Sequence, residues 1–110
     1  MRQGEIWDMY FDPIQGSEQA GRRPAVIISG NLLNHYLKVV VVCPITTKVK
    51  NYKGNVVLQP DAVNGLYSPS EVLVFHVRSV AKDRLKKKLG SIDKQQLTEI
   101  KQGLDDILRY

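Results

Sequence analysis

Leu37-Lys38-Val39-Val40-Val41-Val42-Cys43-Pro44, running on into Ile45-Thr46-Thr47-Lys48, is the stretch around which the rest of the chain organises. No polar residue interrupts the run from Val39 to Cys43, so the alternation of a strand with one wet face is absent. β-branched side chains favour extended backbone, and the run predicts a central strand covered on both faces. Cys43 is the only cysteine, so it has no internal disulfide partner, and a thiol in this setting is expected to be buried and inert. Outward from this strand, further candidates are Glu5 to Phe11, Pro24 to Ser29, Gly54 to Leu58 and Glu71 to Val80, with Lys87 to Ile92 as another. Asp12-Pro13, Ser29-Gly30-Asn31, Lys50-Asn51-Tyr52-Lys53-Gly54, Asn64-Gly65 and Ser68-Pro69 supply the turns between them. Strands this short and evenly spaced predict a small β-barrel rather than a parallel α/β sheet.

The last segment has a different period. Asp93 can cap a helix, and Gln96 three residues on completes a capping box. Leu97, Ile100, Leu104, Ile107 and Leu108 then recur at helical spacing as one apolar stripe. Gly103 inside the helix marks either a close approach to the barrel or nothing. The fold class is therefore mainly β (α+β), a small barrel followed by one C-terminal amphipathic helix. With 110 residues, 1–110 is read as a single domain.

Composition narrows the chemistry. Hydrophobic residues make up 43% and charged residues 25%, the profile of a soluble globular protein. No apolar run approaches the roughly 20 residues that span a bilayer. The start, Met1 to Trp7, lacks the apolar segment of a signal peptide, so a cytoplasmic location and no membrane partner are expected. Sixteen basic residues against eleven acidic give a net charge of +5, which favours an anionic partner, most commonly nucleic acid. Cys43, His35 and His76 are scattered without metal-ligand spacing, and there is no phosphate-cradling glycine loop or serine elbow. No metal and no cofactor are expected. An enzyme built from this chain works with acid, base and fixed charge.

Two segments carry such groups. Gly16-Ser17-Glu18-Gln19-Ala20-Gly21-Arg22-Arg23-Pro24 is a polar loop that runs into the apolar strand Ala25-Val26-Ile27-Ile28. Pro24 biases Arg23 to extended backbone, which fixes a guanidinium fork at the strand start. Such a fork matches phosphate oxygens two at a time; the alternative is a solvated loop with an incidental arginine pair. Thr46 follows the central strand, where a hydroxyl either serves a site or bonds the local backbone. Lys82-Asp83-Arg84-Leu85-Lys86-Lys87-Lys88 is either a solvated face or a rail for phosphates.

Gly4-Glu5-Ile6-Trp7, Asp12-Pro13, the Gly16 to Gly21 block with Arg23-Pro24, Pro44-Ile45-Thr46-Thr47 and Val77-Arg78-Ser79, in that order, resemble the MazF/PemK (Kid) toxin family over essentially the whole chain. The resemblance implies an SH3-like β-barrel of the MazF/PemK/CcdB type, working as a homodimer. It implies a type II toxin: a metal-independent endoribonuclease (mRNA interferase) that cuts single-stranded RNA at short motifs through 2′-hydroxyl attack. The expected products are 2′,3′-cyclic phosphate and 5′-hydroxyl ends. It also implies a cognate antitoxin with a disordered acidic tail. By matched position Arg23 is the phosphate clamp; its high pKa makes charge stabilisation the weightier role over proton donation. Thr46 donates a hydrogen bond to the same phosphate. Glu18 is the candidate base, with an ion pair to Arg22 or Arg23 as the open alternative. Candidate RNA contacts are Ser17, Gln19, Arg22, Thr47, Lys48, Lys50, Lys53, His76 and Arg78, with Tyr52 and Tyr67 as stacking groups.

The chain departs from the family pattern at three places. One branch has histidine where Arg22 stands; many relatives have an acidic residue and glutamine where Phe75-His76 stand; and the Kid branch's arginine has no match at Leu73. His76 is either an alternative acid or base or a hydrogen-bonded core residue, and Phe75 either stacks on a base or fills the core. The other functional class on this barrel is a non-catalytic binding module, or a CcdB-like gyrase poison.

Overall fold

The valine run takes the middle of the sheet. A computed structural model describes residues 1–10 and 22–110. In it, β3 (Val39–Thr46) pairs antiparallel with β2 (Arg22–Ile27) on one side. On its other side lie β6 (Arg78–Ala81), along the first half, and β5 (Ser70–Val72), along the last residues. β1 (Glu5–Tyr10), β4 (Val56–Leu58) and β7 (Leu85–Ser91) complete the sheet, in the order β4-β5-β3-β2-β1-β7 with β6 beside β3. The 3-10 turn Lys82–Arg84 joins β6 to β7, which pairs with β1 at the far end, so the sheet curls into a half-barrel.

Alternation along β3 covers both of its faces. Val40 and Val42 join Met9, Ala25, Ile27, Val80 and Leu85 in one cluster. Cys43 and Ile45 join Ile6, Val26, Leu58, Val72, Val74 and Ile100 in the other. Each aliphatic side chain buried in this way contributes about 1.5–3 kcal/mol. Cys43 is buried as expected, and burial pushes its thiol up to about 12.

The C-terminal helix α2 (Lys94–Arg109) starts at the expected box: the Gln96 N–H donates to Asp93 Oδ1 at 2.7 Å, and the Asp93 N–H donates to Gln96 Oε1 at 2.9 Å. Leu97, Ile100 and Leu104 pack on the second cluster. The expected stripe ends there: Ile107 and Leu108 are exposed. Gly103 does mark a close approach. A Cβ there would stand 2.5 Å from the carbonyl oxygen of Gly54.

Two local expectations are corrected. Ser29-Gly30-Asn31 opens a short helix, α1 (Asn31–Tyr36), and does not simply turn the chain. It is too short to show a period, and it is tied down by side chains: Asn34 Nδ2 donates to the Ser29 carbonyl at 2.8 Å, and the Val41 N–H donates to Ser29 Oγ at 2.9 Å. Glu71 to Val80 is not one strand. The 3-10 turn Val74–His76 divides it into β5 and β6. The cause lies across the sheet at Pro44. A strand residue points its N–H and C=O to the same side, and the Pro44 carbonyl accepts from the Leu73 N–H at 2.8 Å. Pro44 has no N–H to return, so the neighbouring chain leaves the ladder there and rejoins it at Arg78, opposite Val42.

The edge strand β7 is covered over its last residues by the turn at 59–66. Asn64 is buried with its amide donating to the Gln59 carbonyl at 2.8 Å, and the Ser91 N–H donates to the Val63 carbonyl at 2.9 Å. Gly65 sits at φ +69° against Leu89, and Gly90 against Val63 and Asn64. Among the described residues, no helix is long and apolar enough to cross a membrane.

Candidate functional site

The β2–β3 ladder runs Ile27–Val42, Val26–Cys43, Ala25–Pro44. Beyond that ladder lie Arg23, near the start of β2, and Thr46, at the end of β3. Side chains at the start of one strand and the end of the next thereby reach the same place. They line an open cleft of about 490 Å³, together with Arg22, Pro24, Ile45, Thr47 and Lys48.

Each of these groups is left in a usable state. Arg23 is exposed and forms no ion pair with any described residue, so its planar fork is available to an anion. Arg22 is held differently. Its Nε donates to Asp8 Oδ2 at 2.6 Å, and its guanidinium lies 5.7 Å from the centre of the Tyr10 ring. The hydrogen bond and charge of Asp8 raise its pKa, so it stays a cation whose position is set by β1. Thr46 Oγ1 accepts from the Lys48 N–H at 3.1 Å. That is the local backbone bond open to any strand-end threonine, but it uses a lone pair and leaves the hydroxyl proton free to be donated. Arginine fork and hydroxyl proton therefore face one space.

The other sequence-predicted residues are distributed around this cleft. Lys48 lines it, and Lys50 and Lys53 are exposed on the same loop. Lys53 also borders a separate surface hollow of about 400 Å³ with Phe75, Gly103 and Ile107. His76 is exposed, not a core residue, with its ring centre 5.7 Å from that of Phe75, and Arg78 is exposed on β6. Neither lines the cleft. Ser17, Glu18 and Gln19 lie outside the described residues. Among the described residues, no group of three or more His, Cys, Asp or Glu side chains could hold a metal ion.

Two acidic residues with clear structural work were missed from the sequence. Asp8 is one, through Arg22. Glu71 is the other: it pairs opposite Thr46 and is 1% exposed, yet it is a carboxylate. It accepts from the N–H groups of Lys50 (2.7 Å), Asn51 (2.6 Å) and Tyr52 (3.2 Å) and from Asn55 Nδ2 (2.7 Å). The available signal was an acidic residue beginning the apolar run Val72-Leu73-Val74, since a buried charge needs bonded partners.

Burial alone would raise the pKa of Glu71. The bonds from Asn55 and from the Asn51, Lys50 and Tyr52 amides outweigh it and hold the carboxyl below its ordinary value. A depressed folded value gives stability that is complete above the unfolded value, about 4.3, and that is lost as pH falls through the folded one. Urea unfolding at pH 7 and pH 3 is therefore expected to show a larger acid loss for the wild type than for Glu71→Gln. Equal losses would remove this contribution.

The comparisons with known proteins agree with one another. The family profile described as "PemK-like, MazF-like toxin of type II toxin-antitoxin system" matches residues 2–108. The chain is 33% identical over 107 residues to "Endoribonuclease MazF" of Staphylococcus saprophyticus, covering 96% of this chain and 88% of that one. Its structure resembles the crystal structure of MazF from Deinococcus radiodurans with a TM-score of 0.80 and 30% identity, over 100% of this chain and 97% of that one. It also resembles MazF in a MazE–MazF structure from the same organism, with a TM-score of 0.80 and 28% identity, over 98% and 95% of the two chains.

Proposed function

Because the chain belongs to the PemK-like, MazF-like toxins of type II toxin–antitoxin systems, we propose that it is an endoribonuclease cutting single-stranded RNA in the cleft between Arg23 and Thr46. The observation that carries this reading is the convergence on one cleft of an exposed guanidinium fork, unpaired among the described residues, and a hydroxyl whose proton is left for donation. Phosphoryl chemistry needs just such groups where charge builds on the equatorial oxygens.

In the reaction we propose, a base takes the proton of the 2′-hydroxyl and the freed O2′ attacks the adjacent phosphorus. Glu18 is the acceptor we assign. Arg23 grips the non-bridging oxygens as negative charge gathers on them, and Thr46 donates to the same phosphate. The P–O5′ bond breaks with its electron pair going to O5′, which takes up a proton. One fragment ends in a 2′,3′-cyclic phosphate and the other in a 5′-hydroxyl. The charge that stabilises the phosphorane comes from guanidinium, so the reaction as written is metal-independent.

Around this centre, Arg22 and Thr47 extend the phosphate contacts, and Lys48, Lys50 and Lys53 draw in the backbone on one side. Ser17 and Gln19 would contact the strand from the preceding loop, and His76 and Arg78 are further contacts along its path. The basic cleft also suits the acidic tail of a cognate antitoxin, because a segment that folds on binding can wrap a large surface. Exposed Phe75, Val77, Ile107 and Leu108 would be covered in a homodimer. We place its action in the cytoplasm.

Incubating the purified protein with mixed-sequence RNA, with and without a chelator, tests the reading. Cleavage that survives the chelator and leaves cyclic-phosphate and 5′-hydroxyl ends is expected. RNA that is bound but stays intact would leave a binding module; cleavage abolished by the chelator would overturn the mechanism.

A further inference from the structure

The loop at 47–55 has two sides of opposite character. Its outer side carries Lys48, Lys50, Tyr52 and Lys53, all exposed. Its inner side closes on Glu71: Oε1 takes the amides of Lys50 and Asn51, and Oε2 takes the Tyr52 amide and Asn55 Nδ2. Asn55 extends the tie, its Oδ1 accepting from the Val74 N–H at 3.0 Å. Beyond it, the Gly54 carbonyl lies so close to Gly103 that no side chain fits between loop and α2.

Asn and Gly suit the two left-handed positions of this loop, but those positions alone do not fix where its lysines stand. Asn51 sits at φ 54° and Gly54 at φ 93°, both in the left-handed region. A lysine-bearing loop of that kind would spread over many shapes unless something inside fixed it. Glu71 is the group that does so, and β5 sets it opposite Thr46 on the neighbouring strand.

We infer that Glu71 is a positioning residue for RNA binding: a buried anion that clamps three successive amides of the 47–55 loop so that Lys48, Lys50 and Lys53 stand at fixed places beside the Arg23–Thr46 cleft. This rests on the endoribonuclease reading and adds a division of labour to it. Arg23 and Thr46 act on the scissile phosphate, and Glu71 sets how tightly the flanking phosphates are held. Preorganising a loop saves ordering cost on binding, so its loss falls on affinity for RNA, not on the chemical step.

The Glu71→Gln variant tests this, because the glutamine amide keeps the shape but turns one of the two acceptor atoms into a donor facing donors. Hydrogen exchange at Lys50, Asn51 and Tyr52 is expected to speed up by about 10-fold or more, with β3 amides unchanged. In cleavage of a short RNA, KM is expected to rise by about 10-fold and kcat to stay within about threefold. Lys50→Ala/Lys53→Ala, which touches only exposed side chains, is expected to raise KM in the same sense, and it carries the test if Glu71→Gln does not fold.

Faster loop exchange with an unchanged KM, loop amides as protected as in the wild type, or an unchanged KM in the lysine double variant would each overturn the inference. So would a fall confined to kcat. Those outcomes leave the nuclease reading standing if the wild type cleaves RNA; a wild type that leaves RNA intact removes both.

Discussion

Replacing Arg23 with alanine is expected to slow RNA cleavage by about 10²–10³-fold, the scale of removing one donor from a transition-state oxyanion. The loss should be specific, because Arg23 is exposed and forms no ion pair with any described residue. Exposed substitutions of that kind change stability by about 0.5 kcal/mol or less. Single-turnover cleavage under saturating protein separates the chemical step from binding. Lysine at the same position keeps the charge but not the planar pair of donors, so Arg23→Lys is expected to fall between wild type and alanine. Cleavage by Arg23→Ala at the wild-type rate would take this residue out of the reaction.

The largest expected effect on stability lies outside the lining of the cleft, at Gly65. Its φ is +69°, and a Cβ there would stand 2.1 Å from the carbonyl oxygen of Leu89 and 2.9 Å from its carbonyl carbon. Backbone cannot rotate aside as a side chain can. Left-handed strain contributes about 1–2 kcal/mol and forced overpacking about 1–3 kcal/mol. Gly65→Ala is therefore expected to lose about 3 kcal/mol, a large part of a stability of about 5–15 kcal/mol, and to lower Tm by about 10 °C or more. Gly30→Ala is the matched control: nothing lies within 4 Å of its Cβ position, and its φ is −68°. Melting curves that coincide for Gly65→Ala and wild type would mean that the 59–66 turn does not press on β7.

Features set by neighbours in the chain could be read from the sequence. The central strand was legible because no polar residue interrupts Val39 to Cys43, though Val39 at its start is exposed, and α2 because Asp93 and Gln96 bond within three residues of each other. The strand break after Val72 was not, since its cause is an N–H missing from Pro44 on a different strand. The helical spacing of the stripe was legible, but not that Ile107 and Leu108 stay exposed. Arg23 was marked by Pro24, and the resemblance to known toxins paired it with Thr46. Their meeting in one cleft is a matter of strand register, which no local pattern carries. Glu71 was hidden for the same reason. Its donors lie some twenty positions upstream, in a stretch that reads as an ordinary turn.

Three consecutive amides converging on one anion form a concave receptor of the type that many proteins leave open for phosphate. In this loop the receptor comes already filled by the protein's own carboxylate. An incoming strand is therefore refused the directional grip of those three main-chain donors and meets the exposed side chains of Lys48, Lys50, Tyr52 and Lys53 instead. Ammonium groups hold phosphates without reading bases, so on this loop Tyr52 is the side chain that offers a base a face to stack on.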